Sequence, residues 1–74
     1  MLEQLQELAR RFTGDANLTL TGDTVLRKDL GINSYELVEL VCKVEDMFDV
    51  EIPDRVIGKL KTVQHVLDYL AANA

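Results

Sequence analysis

Seventy-four residues, 47% of them hydrophobic and 28% charged, make one domain of average globular composition, too small to enclose a deep active site. Thirteen acidic side chains against eight basic ones leave a formal charge of -5, which repels phosphate backbones and anionic lipid and favours basic protein surfaces; nucleic acid is excluded as a ligand. A single cysteine and a single histidine exclude an internal disulfide and a structural zinc site, so folding depends on one modest core.

In the first segment Leu2, Leu5, Leu8, Ala9 and Phe12 recur at helical spacing, with Arg10 and Arg11 toward the end that favours cations. Gly14 is the expected stop. The segment is amphipathic rather than a signal peptide, and no apolar run approaches the roughly 20 residues of a membrane span. The expectation is a soluble, cytoplasmic protein, with no feature requiring more than a monomer.

From Gly14 to Asn33 the chain is rich in Gly, Thr, Asp and Asn, with Leu18, Leu20, Val25, Leu26, Leu30 and Ile32 spaced along it. This reads as a long loop tacked onto the core by those side chains. The alternation in "LTLTGDTVL" also suits a hairpin, but an isolated pair of strands is marginal and no third strand is visible. A loop of this length in a compact domain is usually functional or flexible.

The next helix is predicted over Ser34 to Phe48, with Asn33 as N-cap and Glu36 three residues on, a variant of the capping box. Ser34 then occupies the first helical position with its hydroxyl unused by the cap. The helix entrance supplies unpaired N–H groups and a partial positive charge, which suit a phosphate. Steps of about 100° per residue gather Leu37, Leu40, Val41, Val44, Met47 and Phe48 into a core face. Glu36, Glu39, Lys43 and Asp46 lie opposite. The remaining sector holds Ser34, Tyr35, Val38, Cys42 and Glu45, an apolar strip beside the serine that a helix with one buried face does not require.

Beyond Asp49, "VEIPD" is expected to be extended, as suits the residue before a proline. "DRVIG" is a turn or two of helix ending at Gly58, and "TVQHVLDYLAANA" is the last helix, with Thr62 as N-cap and Val63, Val66, Leu67 and Leu70 as its stripe. The predicted fold is all-α: a small antiparallel bundle of three main helices and one short one, in a single domain over residues 1–74.

The run "DLGINSYELVEL" resembles the signature of the acyl carrier proteins and of the related carrier domains of polyketide and peptide synthases: Asp-Leu-Gly, a variable residue, then Asp-Ser-Leu opening a helix with Val-Glu-Leu. "FDVEIPD" and "TVQHVLDYL" are similar to the family's downstream segments, so the resemblance runs from Leu2 to Leu70. It implies that Ser34 is the site where a phosphopantetheinyl transferase attaches 4'-phosphopantetheine from coenzyme A. The arm's thiol then carries acyl groups as thioesters between acyl-transfer and chain-elongation enzymes with basic docking patches, and the carrier itself catalyses nothing.

The same resemblance makes Glu36, Glu39, Glu45 and Asp46 recognition carboxylates, with Val38 and Cys42 as apolar companions and Asp54 extending the acidic surface. It also implies that the bundle shelters an acyl chain, with Val44, Ile52, Val56, Ile57 and Leu60 as the expected lining, so that attaching a medium-length acyl group should raise the melting temperature. Asn33 stands where the family usually has Asp, and Tyr35 where it usually has Leu. Those departures bear on partner choice and leave open a housekeeping fatty-acid carrier or a specialised one for polyketide or aminoacyl cargo.

The plainer readings are a helix-start serine of no special role, carboxylates that serve solubility, and an unmodified helical interaction module. Cys42 reads as a small hydrophobe and His65 as a surface residue without catalytic or metal-binding spacing.

Overall fold

The computed structural model describes residues 1–73. Five helices follow one another: α1 (Leu2–Thr13), α2 (Leu26–Leu30), α3 (Ser34–Phe48), α4 (Asp54–Ile57) and α5 (Val63–Asn73). No strand occurs among the described residues. The small all-α bundle is as expected, with α2 as an addition inside the segment read as loop.

α1 buries Leu5, Leu8 and Ala9 and ends at Gly14, whose left-handed φ of 77° lets its N–H reach the Arg10 carbonyl. α1 and α2 both pack on α3, whose Leu37, Leu40, Val41 and Val44 form the middle of the core. Val63, Val66 and Leu70 of α5 close it, and Leu70 is 0% exposed. Each such aliphatic side chain contributes on the order of 1.5–3 kcal/mol by leaving water.

The segment between α1 and α3 is held at several points. Arg10 Nε donates to the Leu18 carbonyl at 2.7 Å, and the Leu20 N–H donates to Gln6 Oε1 at 2.9 Å. Leu20, Leu26, Leu30 and Ile32 are buried, as expected of residues that tack the segment down, and Leu18 is half-buried. Val25 departs from the expectation: it is 38% exposed, and its backbone takes part in an isolated antiparallel bridge with Thr62. The Leu26 N–H donates to the Lys61 carbonyl and the Val63 N–H to the Thr24 carbonyl, each at 3.0 Å. Residues 18–26 contain no strand and no bridge to one another, so "LTLTGDTVL" is not a hairpin.

α2 is a single turn that propensity alone would not hold, because nucleating a helix is unfavourable. Its ends are secured instead. Asp29 Oδ2 accepts from the Val25 N–H at 2.7 Å, and Gly31, at φ 66°, turns the chain so that the Ile32 N–H reaches the Arg27 carbonyl at 3.0 Å. Thus Asp29 and Gly31 of "DLG" close the two ends of α2.

The exit from α3 is also fixed. Asp49 adopts a left-handed conformation, φ 53° and ψ 50°, and its N–H returns to the Glu45 carbonyl. The following extended segment is clamped from two sides: the Ile52 N–H donates to Glu45 Oε2 and Tyr69 Oη donates to the Glu51 carbonyl, both at 2.8 Å. Thr62 caps α5, its Oγ1 accepting from the His65 N–H at 3.3 Å, while His65 Nδ1 accepts from the Lys61 and Thr62 N–H groups.

Candidate functional site

Ser34 is exposed at the first position of α3. The capping box before it is complete: Asn33 Oδ1 accepts from the Glu36 N–H at 2.8 Å, and Glu36 Oε1 accepts from the Asn33 N–H at 3.0 Å. Because Asn33 and Glu36 satisfy one another's backbone, the Ser34 hydroxyl has no structural duty. A phosphate ester there would sit at the positively polarised end of a 15-residue helix.

Ser34 lines an open groove of about 560 Å³. Leu37 and Val38 of α3 continue one wall, Ile57, Gly58 and Leu60 form another, and Val25 and Ile32 lie on the α2 side. Arg27, Lys28 and Lys61 also line it. These cations escaped the sequence reading, although the adjacent pair in "LRKDL" was a visible signal; Lys61 is distant in the chain and arrives only through the Val25–Thr62 bridge.

The sector of α3 beside the serine is largely open. Tyr35 is 74% exposed, and Val38 and Cys42 are exposed too. Glu39, Asp46 and Asp54 are exposed, and the salt bridge found among the described residues, Glu7 with Arg11 at 3.8 Å, does not involve them. The other candidates for recognition differ. Asn33 and Glu36 spend their side chains on the cap, and Glu45, placed by sequence on the accessible strip, is half-buried with its carboxylate on the Ile52 N–H. Glu45 lies only about 20° from Ser34 on the helical wheel, on the side of Val38 and away from the core face, and it is the extended segment folding back after α3 that covers it.

Met47 corrects the predicted core face. It is 37% exposed and lines a shallow groove with Leu8, Arg11, Phe12, Lys43 and Asp46. It stands about 70° from the middle of the buried stripe, where the core no longer covers it.

The expected acyl lining does not converge on one cavity. Val44, Ile52 and Leu60 border an apolar void of about 30 Å³ inside the bundle, room for one or two water-sized spheres. Ile57 borders the Ser34 groove instead, together with Leu60, and Val56 borders neither space. Val56 and Ile57 sit in the single turn of α4, none of whose residues is fully buried.

A small helical bundle that presents an unengaged serine at a helix entrance, beside a groove, has the architecture of a carrier domain. Residues 3–70 match the family model described as the phosphopantetheine attachment site. The chain is 45% identical over 58 residues to the mitochondrial acyl carrier protein of Saccharomyces cerevisiae, covering 78% of this chain and 46% of that one, so it spans less than half the yeast protein's length. It is 34% identical over 71 residues to the acyl carrier protein of Trieres chinensis, covering 96% of this chain and 89% of that protein. In structure it is similar to a protein of Mycobacterium tuberculosis described as an acyl carrier protein, with TM-score 0.85 and 31% identity over 96% of this chain and 95% of the other. The acyl carrier protein of Enterococcus faecalis gives TM-score 0.75 and 28% identity over 100% and 99%. The chain belongs to the acyl carrier protein family.

Proposed function

We propose that Ser34 is the attachment residue for 4'-phosphopantetheine and that the protein is a carrier, without catalysis of its own, for acyl intermediates of fatty-acid synthesis in the cytoplasm. The observation that carries this reading is the exposed Ser34 at the entrance to α3, released from capping by Asn33. In the attachment step Ser34 Oγ forms a new P–O bond to the phosphopantetheine phosphorus of coenzyme A. The pyrophosphate P–O bond breaks, adenosine 3',5'-bisphosphate leaves, and the hydroxyl proton passes to a base of the transferase. When bound, the arm supplies a thiol that holds acyl groups as thioesters.

This chain's own part is to present, orient and be recognised. The helix entrance favours the phosphate charge, and the capping box keeps the first turn from fraying. Glu39, Asp46 and Asp54 provide an exposed acidic field that steers basic patches of the transferase and of acyl-transfer and elongation enzymes, with Tyr35, Val38 and Cys42 as the apolar contact. Asn33, Glu36 and Glu45 contribute to recognition by holding this surface in place, through the bonds they already make. An acyl chain entering the bundle would have to widen the void bordered by Val44, Ile52 and Leu60, with Ile57 and Val56 on the α4 side as the movable part of the lining.

A specialised cargo is the second reading, favoured by Tyr35, whose largely exposed phenol stands next to Ser34. The deciding experiment is incubation with coenzyme A and a broad-specificity phosphopantetheinyl transferase, followed by intact-mass measurement. A mass increase that disappears in Ser34→Ala is expected; an unchanged wild-type mass would overturn the carrier reading in favour of an unmodified interaction module. Acyl groups recovered from the protein in cells then separate fatty-acid from polyketide or aminoacyl cargo.

A further inference from the structure

The groove beside Ser34 has a charge opposite to that of the protein as a whole. Three of the chain's eight cationic side chains line it and none of its thirteen acidic ones does. Asp29, next in sequence to Lys28, does not line the groove; its carboxylate accepts from the Val25 N–H. Arg27, Lys28 and Lys61 are exposed, and the salt bridge found among the described residues uses none of them.

Their grouping is held by backbone rather than by chance side-chain positions. The Lys61 carbonyl accepts from the Leu26 N–H, and the Lys61 N–H donates to His65 Nδ1, so the residue is fixed beside the start of α2. Gly31 then turns the chain directly from α2 into the entrance of α3. Most of the remaining lining is apolar, including Ile32, Leu37, Val38 and Leu60.

We propose that Arg27, Lys28 and Lys61 form a cationic rim that holds the phosphodiester on Ser34 against the protein, so that the arm leaves the serine along this groove instead of standing free in solvent. The occupant is committed by continuity and by charge: Ser34 itself lines the groove, and a phosphodiester is the one anion that the carrier would place there. The apolar lining suits the gem-dimethyl carbons that follow the phosphate in a pantetheine chain. The acidic surface along α3 and this rim therefore divide their tasks, one facing partners and the other facing the arm. The inference rests on the carrier reading above.

The test compares the apo protein with the form loaded from coenzyme A by a broad-specificity transferase. Amide NMR shifts on loading should extend beyond the entrance of α3 to residues 25–28 and 58–61. The ³¹P resonance of the loaded form should move as salt is raised to about 1 M, where the screening length falls to roughly 3 Å. Both effects should fall several-fold in the triple variant Arg27→Gln, Lys28→Gln, Lys61→Gln and persist in the charge-retaining Arg27→Lys, Lys61→Arg variant. If loading proceeds by mass but the amide shifts stay within residues 33–38 and the phosphorus resonance responds equally in all variants, the rim does not hold the arm and the proposal falls alone. That result would leave the cations to meet acidic groups of a partner protein. If the wild type gains no mass, the carrier reading fails and the proposal with it. Single substitutions Lys28→Gln and Lys61→Gln, each at an exposed position, give the same readouts should the triple variant fold poorly.

Discussion

At its entrance α3 is closed by a capping box in which Asn33 and Glu36 serve each other within one turn, leaving Ser34 in solvent. At its exit the closure reaches outward: Glu45 bonds the Ile52 N–H seven residues on, and Asp49 takes a left-handed conformation to let the chain reverse. A self-contained cap asks nothing of the rest of the fold, so it can surround a residue that must meet other proteins. A cap that bonds a distant segment joins two parts of the core and makes that end a structural joint.

Removing the joint should cost most. Glu45→Ala strips the acceptor from the Ile52 N–H, whose residue is 4% exposed, and should lower stability by about 1–3 kcal/mol. Glu45→Gln keeps an acceptor oxygen and should cost less. Urea denaturation of the two variants checks the order, and equal losses would show that charge, not the hydrogen bond, holds the joint.

At the entrance, Asn33→Ala should cost about 1 kcal/mol through the lost cap, whereas Asn33→Asp should be nearly neutral. Because the cap also fixes the first turn, which carries Ser34 itself, the alanine variant should be loaded more slowly by the transferase, and by a larger factor than Glu45→Ala, which loosens the recognition surface only from the far end of α3. A slowdown of similar size in both would erase the distinction between the two ends.

Asp49→Gly should stabilise the protein by roughly 0.5–1 kcal/mol, since glycine adopts the left-handed region without the clash a side chain brings. A fall in the thermal midpoint would mean that the Asp49 side chain does something useful at the exit. The smallest structural effect belongs to Glu39→Gln with Asp46→Asn: within about 0.5 kcal/mol of the parent in stability, yet with slower association to a basic partner and a flatter dependence on salt. Stopped-flow mixing with the transferase at two ionic strengths reads that difference directly.

Signals that act within a turn or two were legible in the chain. The leucine spacing of α1, the Asn33–Glu36 pair before α3 and the Thr62 cap of α5 each operate through neighbours three or four positions away, and all three appear in the fold. α2 was not legible, because five residues with Leu26 and Leu30 as their buried pair fall below the length at which periodicity can be distinguished from scatter. Met47 was misread because a helical wheel gives a residue's angle but not how far the covering elements extend. Val25 was misread because its backbone pairing has no local signature.

By itself, then, the sequence determined an acidic all-α domain with a serine at a capped helix entrance, since capping, spacing and net charge are local or additive properties. Only the tertiary structure decided that Glu45 turns inward, that Val56 and Ile57 stand apart from the interior void, and that Lys61 joins Arg27 and Lys28 beside Ser34. Those outcomes come from pairings such as Val25 with Thr62, in which backbone groups far apart in the chain satisfy each other's hydrogen bonds, and any side chain of suitable size permits them.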